Sequence, residues 1–238
     1  MNKSRAKLCF CRGENKLRGS DRDTTGKRMD IGKLLEPIRK EIEADDEVRE
    51  KVLPVSRDAV RLCGQSVKAS HRGQFDDAHK KVDEAYELIQ KGRQLASESK
   101  FVTVSKYFDT AYQELTEAVN VLSILNERRL TGPEEYSIPA RPYLTGLADT
   151  IGELRRASLE LLRGDDVDGA KGLLSIMEDI LEELQTFDFP DSLVRNLRRK
   201  SDVARRIVEK TRGDVTTAVR QEKLIEQLAN FENRLDTK

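Results

Sequence analysis

Tryptophan is absent from the 238 residues, and aromatic residues of all kinds make up only 5%. Glycine and proline, the residues that break helices, are scarce at 14 and 6. No run of eighteen apolar residues exists, which excludes a membrane-spanning helix and any membrane partner that needs one. The first thirty residues have no apolar core segment of the kind a secretory signal requires. Three cysteines, an odd number, argue against a disulfide framework and for a reducing, cytoplasmic location. Cys9 and Cys11 form a C-x-C pair without further ligands nearby, so incidental thiols are expected there. The phosphate loop G-x-x-x-x-G-K-S/T is missing, so a nucleotide triphosphatase has no support. No E-x-x-H occurs, only Asp76 with His79, which disfavours a di-iron bundle. With two histidines in all, no Ser-His-Asp or Cys-His set competes for a catalytic role.

Charge is plentiful. Charged residues make up 36%, the makeup of a water-soluble helical protein of one large domain or two small ones. Basic and acidic residues balance at 43 each, but unevenly. Residues 1–28 carry nine basic side chains against three acidic ones, a balance of +6, so the rest carries −6. This first segment is Gly-dotted and lacks apolar period, and reads as a disordered basic tail. Regular patterning begins directly after Met29, and residues 29–238 read as a single all-helical domain. The apolar period predicts helices over 30–70 (with candidate interruptions at Pro37 and Pro54), 76–95, 102–127, 143–162, 168–185, 192–210 and 216–235. No strand-like alternation is seen, and the expected fold is an all-α bundle of seven helices with short loops.

Two pairs of carboxylates stand out. Glu114 and Glu117 are three apart, Asp149 and Glu153 four apart, so each pair shares one helical face. Each falls on the side where apolar residues should dominate, and burying acids there is unfavourable unless a cation sits among them. Four hard oxygen donors on two antiparallel helices suit Mg²⁺, or Mn²⁺ in its place. Such an ion would polarise a phosphate and make a nucleophile of its bound water. Ordinary solvated surface is the other reading, and spacing alone leaves both open. Gly146 and Gly152 lie inside the same predicted helix, each at a cost of about 1 kcal/mol relative to alanine. Close helix packing or room for a substrate beside Asp149 would offset it.

Arg57, Arg61, Lys68 and Arg72 are spaced four, seven and four, which aligns them as a phosphate track or as a solvated face. Lys106 lies eleven residues before Glu117 and would share its face within one continuous helix. The run Arg195, Arg198, Arg199, Lys200, Arg205 and Arg206 wraps its helix, the pattern of solvation or intersubunit pairing.

The segments Y-Q-E-L-T-E-A-V at 112–119 and Y-L-T-G-L-A-D-T-I-G-E-L at 143–154 resemble the translin family, and more closely its catalytic branch, translin-associated factor X (Trax). The second follows the family pattern Y-L-x-G-x-A-D-x-x-G-E-L, and weaker similarity extends over most of residues 30–212. The resemblance implies a seven-helix fold assembled into an octameric closed shell. It implies a Mg²⁺-dependent endoribonuclease acting on single-stranded RNA held inside. On the matching positions, Glu114, Glu117 and Asp149 would be catalytic metal ligands, and Glu153 would complete the shell or act as base. Translin itself lacks these acids and binds nucleic acid, RNA or DNA, without cutting. Eukaryotic Trax works with a translin-type subunit, whereas a compact chain resembles a prokaryotic version that assembles with itself. A binding protein without catalysis and a helical scaffold with ordinary surface acids are the rival readings.

Overall fold

The computed structural model describes residues 31–236, and the expected basic tail at 1–28 lies outside them. Seven helices follow in order: α1 Ile31–His71, α2 Phe75–Ala96, α3 Lys100–Val104, α4 Asp109–Glu127, α5 Ala140–Arg163, α6 Val167–Thr186 and α7 Leu197–Asp236. No strand occurs among the described residues, so the fold is all-α. The chain divides into two compact units at Arg39 and Lys40. The described part of the first, residues 31–39, is helical and exposed throughout. The second holds the core.

The helix count agrees with the sequence pattern, but the partition differs in three places. Pro37 and Pro54 do not interrupt α1. Val52, Ser56, Ala59, Cys63, Ser66 and Ser70 are buried at spacings of three and four, and this continuous stripe holds the helix through the exposed Pro54. The helix expected over 102–127 is instead α3, a break at 105–108, and α4. Ser99 caps α3, its Oγ accepting from the Val102 amide at 3.0 Å. The β-branched run Val102-Thr103-Val104 is a poor propagator, and the freed Tyr107 carbonyl accepts from Ser56 Oγ at 3.0 Å. Conversely, the two helices expected over 192–210 and 216–235 are one. Ala204, Val208, Thr211 and Val215 form an unbroken buried stripe past the exposed Gly213. Arg155 of α5 fastens this stretch, bonding Thr211 Oγ1 at 2.9 Å and Asp214 at 2.8 Å.

Helices α4 and α5 pack closely. A methyl group at Gly146 would stand 2.5 Å from Thr116 Cβ and 2.6 Å from the Gln113 carbonyl oxygen, so only glycine permits this approach. Their connection is pinned as well. Asn120 Oδ1 accepts from the Thr131 amide at 2.9 Å, and Tyr143 Oη donates to the Thr131 carbonyl at 2.7 Å. These contacts set the register in which the acids of α4 meet those of α5. Farther along, α7 leaves Leu224, Ile225, Leu228 and Phe231 exposed on one stripe. No described helix is long and apolar enough to cross a membrane.

Candidate functional site

The four acids flank the α4–α5 seam. Leu115, Ala118, Val119 and Leu122 take the buried face of α4, and Glu114 and Glu117 lie half-buried at its edge. Asp149 and Glu153 occupy the matching edge of α5, with side chains 30% and 27% exposed. The carboxylates are close enough to act on one another's protonation. Burial, then the charges of Glu114, Asp149 and Glu153, push Glu117 up to about 8, with Lys200 opposing. Burial and Asp149 also raise Glu114. Behind them Cys63 of α1 is buried, and burial plus the charges of Glu114 and Glu117 push its thiol to about 12, which makes it inert.

Two side chains from distant parts of the chain, Lys200 and His71, close the cluster. Lys200, in the first turn of α7, donates from Nζ to Asp149 Oδ1 at 2.6 Å and Oδ2 at 2.5 Å. Gln113 Nε2 adds a bond to Asp149 Oδ2 at 2.9 Å. At the other end, His71 Nε2 and Glu153 Oε2 are 2.6 Å apart, with Arg156 at 3.6 Å. The hydrogen bond from His71 holds the Glu153 carboxyl below its usual range. His71 is placed by the end of α1, where Gly73 at φ +70° lets the Gln74 amide reach the Ala69 carbonyl at 3.0 Å.

As the side chains stand, no three His, Cys, Asp or Glu residues among those described form a metal-holding group. The reason is visible in the partners: Lys200 and Gln113 take up Asp149, and His71 takes up Glu153. The donor chemistry nonetheless fits a divalent cation. All four donors are carboxylate oxygens, and the mutual repulsion that adds to burial in raising Glu117 is what such an ion relieves.

The basic residues divide. Arg57, Arg61 and Lys68 are exposed on α1, and Arg72 just past its end. They lie roughly 120–180° round the helix from Cys63, which faces the acids, so one chain does not bring this track to the cluster. Arg61 bonds Asp58 at 3.2 Å. Lys106 is not on the helix of Glu117; it stands in the break between α3 and α4. There it lines a cavity of 270 Å³ together with Gln113, Arg195 and Lys200, which adjoins Asp149. His79 lies in a separate surface depression with Asp76 and Lys80. Sequence reasoning missed Lys200, His71 and Gln113. The buried stripe that makes α7 one helix carries no hint of which cation in the Arg195–Arg206 run turns inward.

Gly146 and Gly152 serve different ends. Gly146 is the contact point of the two helices, whereas a methyl group at Gly152 would meet nothing within 4 Å. The surface of α5 is thus uncrowded at Gly152, three residues from Asp149.

No protein-family model matches the sequence. The chain is 38% identical over 185 residues to an uncharacterized protein of Methanocaldococcus jannaschii, covering 77% of this chain and 82% of that one. Among solved structures it is similar to AfC3PO in complex with duplex RNA (33% identity, 77% of this chain and 95% of that one, TM-score 0.69). It is equally similar to AfC3PO alone (34% identity, 77% and 96%, TM-score 0.71). Apo-NeC3PO, at 20% identity over 84% of this chain and 100% of that one, shares the fold with a TM-score of 0.69.

Proposed function

The chain belongs to the translin family, and on that premise we propose that it is an endoribonuclease of the Trax branch, dependent on Mg²⁺ or Mn²⁺, that cuts single-stranded RNA inside an oligomeric shell. The observation that carries this reading is the gathering of four acids from two helices along one seam, with Glu117 raised to about 8 by burial and then by the charges of the other three. Glu114, Glu117, Asp149 and Glu153 would hold the metal. When bound, such an ion polarises the phosphodiester and acidifies a bound water.

The chain's own residues would do the rest. In hydrolysis a water oxygen bonds to phosphorus as the bond to a ribose oxygen breaks. The water's proton must go to a base, and the leaving oxygen must gain one. Glu117 would be committed to the ion, whose charge offsets the burial and repulsion that raise its proton affinity in the bare site. Glu153, held ionised by His71, would complete the shell or take the water's proton. With no side chain at Gly152, room is left for an RNA strand beside Asp149, three residues away. Arg57, Arg61, Lys68 and Arg72 would contact phosphates across the assembly, and the exposed α7 stripe supports association with further copies or a translin-type subunit.

The second reading, a binder of single-stranded RNA or DNA that does not cut, draws on Lys200, which already neutralises Asp149 without a metal. The test is cleavage of labelled RNA, single-stranded and duplex in parallel, with Mg²⁺ or with chelator. Cutting should require metal, and E114Q and D149N should each lower it by about 100-fold or more. Equal cutting by both variants would reject the site; retention of RNA without cutting would favour the binder. A companion variant, G152A, should gain about 1 kcal/mol of stability, the helix-propensity difference, yet cut more slowly. Full activity in G152A would show that this room is not used.

A further inference from the structure

The cavity beside the acid cluster is lined by four cations, Lys106, Arg141, Arg195 and Lys200, with Asp109 as the one carboxylate among its lining residues. Three separate parts of the chain supply them: the break before α4, the start of α5 and the turn into α7. Arg141 is already engaged, donating from Nε and Nη2 to the carbonyls of Leu193 and Ser192 at 3.1 Å, which holds that turn in place. The turn continues to Asn196, at φ +63°, whose carbonyl accepts from the Lys200 amide at 3.0 Å. Lys106 and Arg195 have no acidic partner among the described residues and face the cavity. Lys200 belongs to both places at once. It lines the cavity, its side chain is 17% exposed, and its ammonium rests on Asp149.

We propose that this cavity is a phosphate seat, and that Lys200 moves between Asp149 and the seat, so that a divalent cation at the acids and a phosphate in the cavity favour each other's binding. The idea rests on the RNA-cutting reading for its biological ligand, though not for its physics. With the acids bare, the Lys200 ammonium neutralises Asp149 and is withheld from the cavity. A cation among the acids takes over that role and repels Lys200, which turns to the nearest anion. A phosphate of the nucleic-acid backbone in the cavity meets Lys106 and Arg195 in either state, and Lys200 only in the second. By linkage, whatever the metal adds to phosphate affinity, the phosphate adds to metal affinity. The arrangement also keeps a repulsive group of acids from standing uncompensated before substrate arrives.

Two measurements on the full-length protein test this without reference to cleavage. Mn²⁺ binding is followed by electron paramagnetic resonance, with and without a single-stranded phosphorothioate oligonucleotide that resists hydrolysis. Wild-type Mn²⁺ affinity should rise severalfold when the oligonucleotide is present. In K200Q, Mn²⁺ should bind about tenfold tighter in the absence of oligonucleotide, because its competitor is gone, and the oligonucleotide should add less to it than in the wild type. Fluorescence anisotropy in chelator then reads the seat itself. K106Q and R195Q should each flatten the salt dependence of oligonucleotide binding by about one unit of slope. Thermal melts of the exposed-site variants K106Q and R195Q verify folding. Unchanged or weakened Mn²⁺ affinity in K200Q overturns the switch, and an unchanged salt slope in both K106Q and R195Q overturns the seat. A protein that passes both tests but cuts no RNA would keep this inference and lose the nuclease.

Discussion

G146V should unfold the protein or lower its Tm by on the order of 10 °C, the largest effect expected of any single substitution near the site. The cause lies in the α4–α5 contact. Even alanine would bring a carbon within 2.6 Å of the Gln113 carbonyl oxygen, which is main chain and cannot turn aside. Overpacking of this kind costs about 1–3 kcal/mol for the first added groups, and valine adds two more methyls against Thr116. Relief is available only by parting the helices. Glu114 and Glu117 sit on one of them, Asp149 and Glu153 on the other, so parting also separates the two halves of the acid cluster. Any G146V that folds should therefore have lost the mutual coupling of the acids along with its stability. A G146V variant as stable as the parent would mean that α4 and α5 do not meet at this point.

E117Q should make the protein more stable at alkaline pH in the absence of divalent ions. The sign follows from linkage. Glu117 holds its proton to about 8 in the folded state, against the ordinary carboxylate value of 4.5 in the unfolded chain. Between those values the folded state binds more protons than the unfolded, so stability declines as pH rises through this window. Below it the group costs nothing; above it the full penalty applies, on the order of 2–4 kcal/mol after allowance for partial solvation. Glutamine carries no charge at either end. The wild type minus E117Q difference in Tm should thus be near zero at pH 4.5 and negative by on the order of 5–10 °C above pH 8. Mg²⁺ added above pH 8 should stabilise the wild type by binding only the folded state, and should do little for E117Q. A difference that stays constant across pH would show that Glu117 is not held among other negative charges.

What the sequence reveals of this site is its local part. Glu114 with Glu117, and Asp149 with Glu153, are legible because helical periodicity relates residues within one turn. The same periodicity places the end of the first helix, expected at 70 and found at His71. It fails where an element's continuity depends on a distant partner. The break before α4 is sustained by Ser56, some fifty residues away, which satisfies the Tyr107 carbonyl. The continuity of α7 past Gly213 is sustained by Arg155 on α5. Periodicity alone therefore puts Lys106 on the helix of Glu117, whereas it stands in the break and reaches the neighbourhood of the acids from there. Lys200 and His71 are illegible in the sequence for the same reason. Nothing within α7 distinguishes Lys200 from the arginines beside it, and only the packing of α7 against α5 turns it onto Asp149. The two glycines of α5 look equivalent in sequence, and only the neighbouring helix separates Gly146, which is crowded, from Gly152, which is not.

In the proposed function, RNA cutting by this protein requires a divalent ion held among carboxylates from α4 and α5. A crystal grown with Mn²⁺ would locate that ion through the anomalous scattering of the metal. A single region of anomalous density is expected between Glu114, Glu117, Asp149 and Glu153, with the Lys200 ammonium drawn off Asp149. Density confined to other parts of the surface, with Lys200 still seated on Asp149 at saturating Mn²⁺, would contradict it.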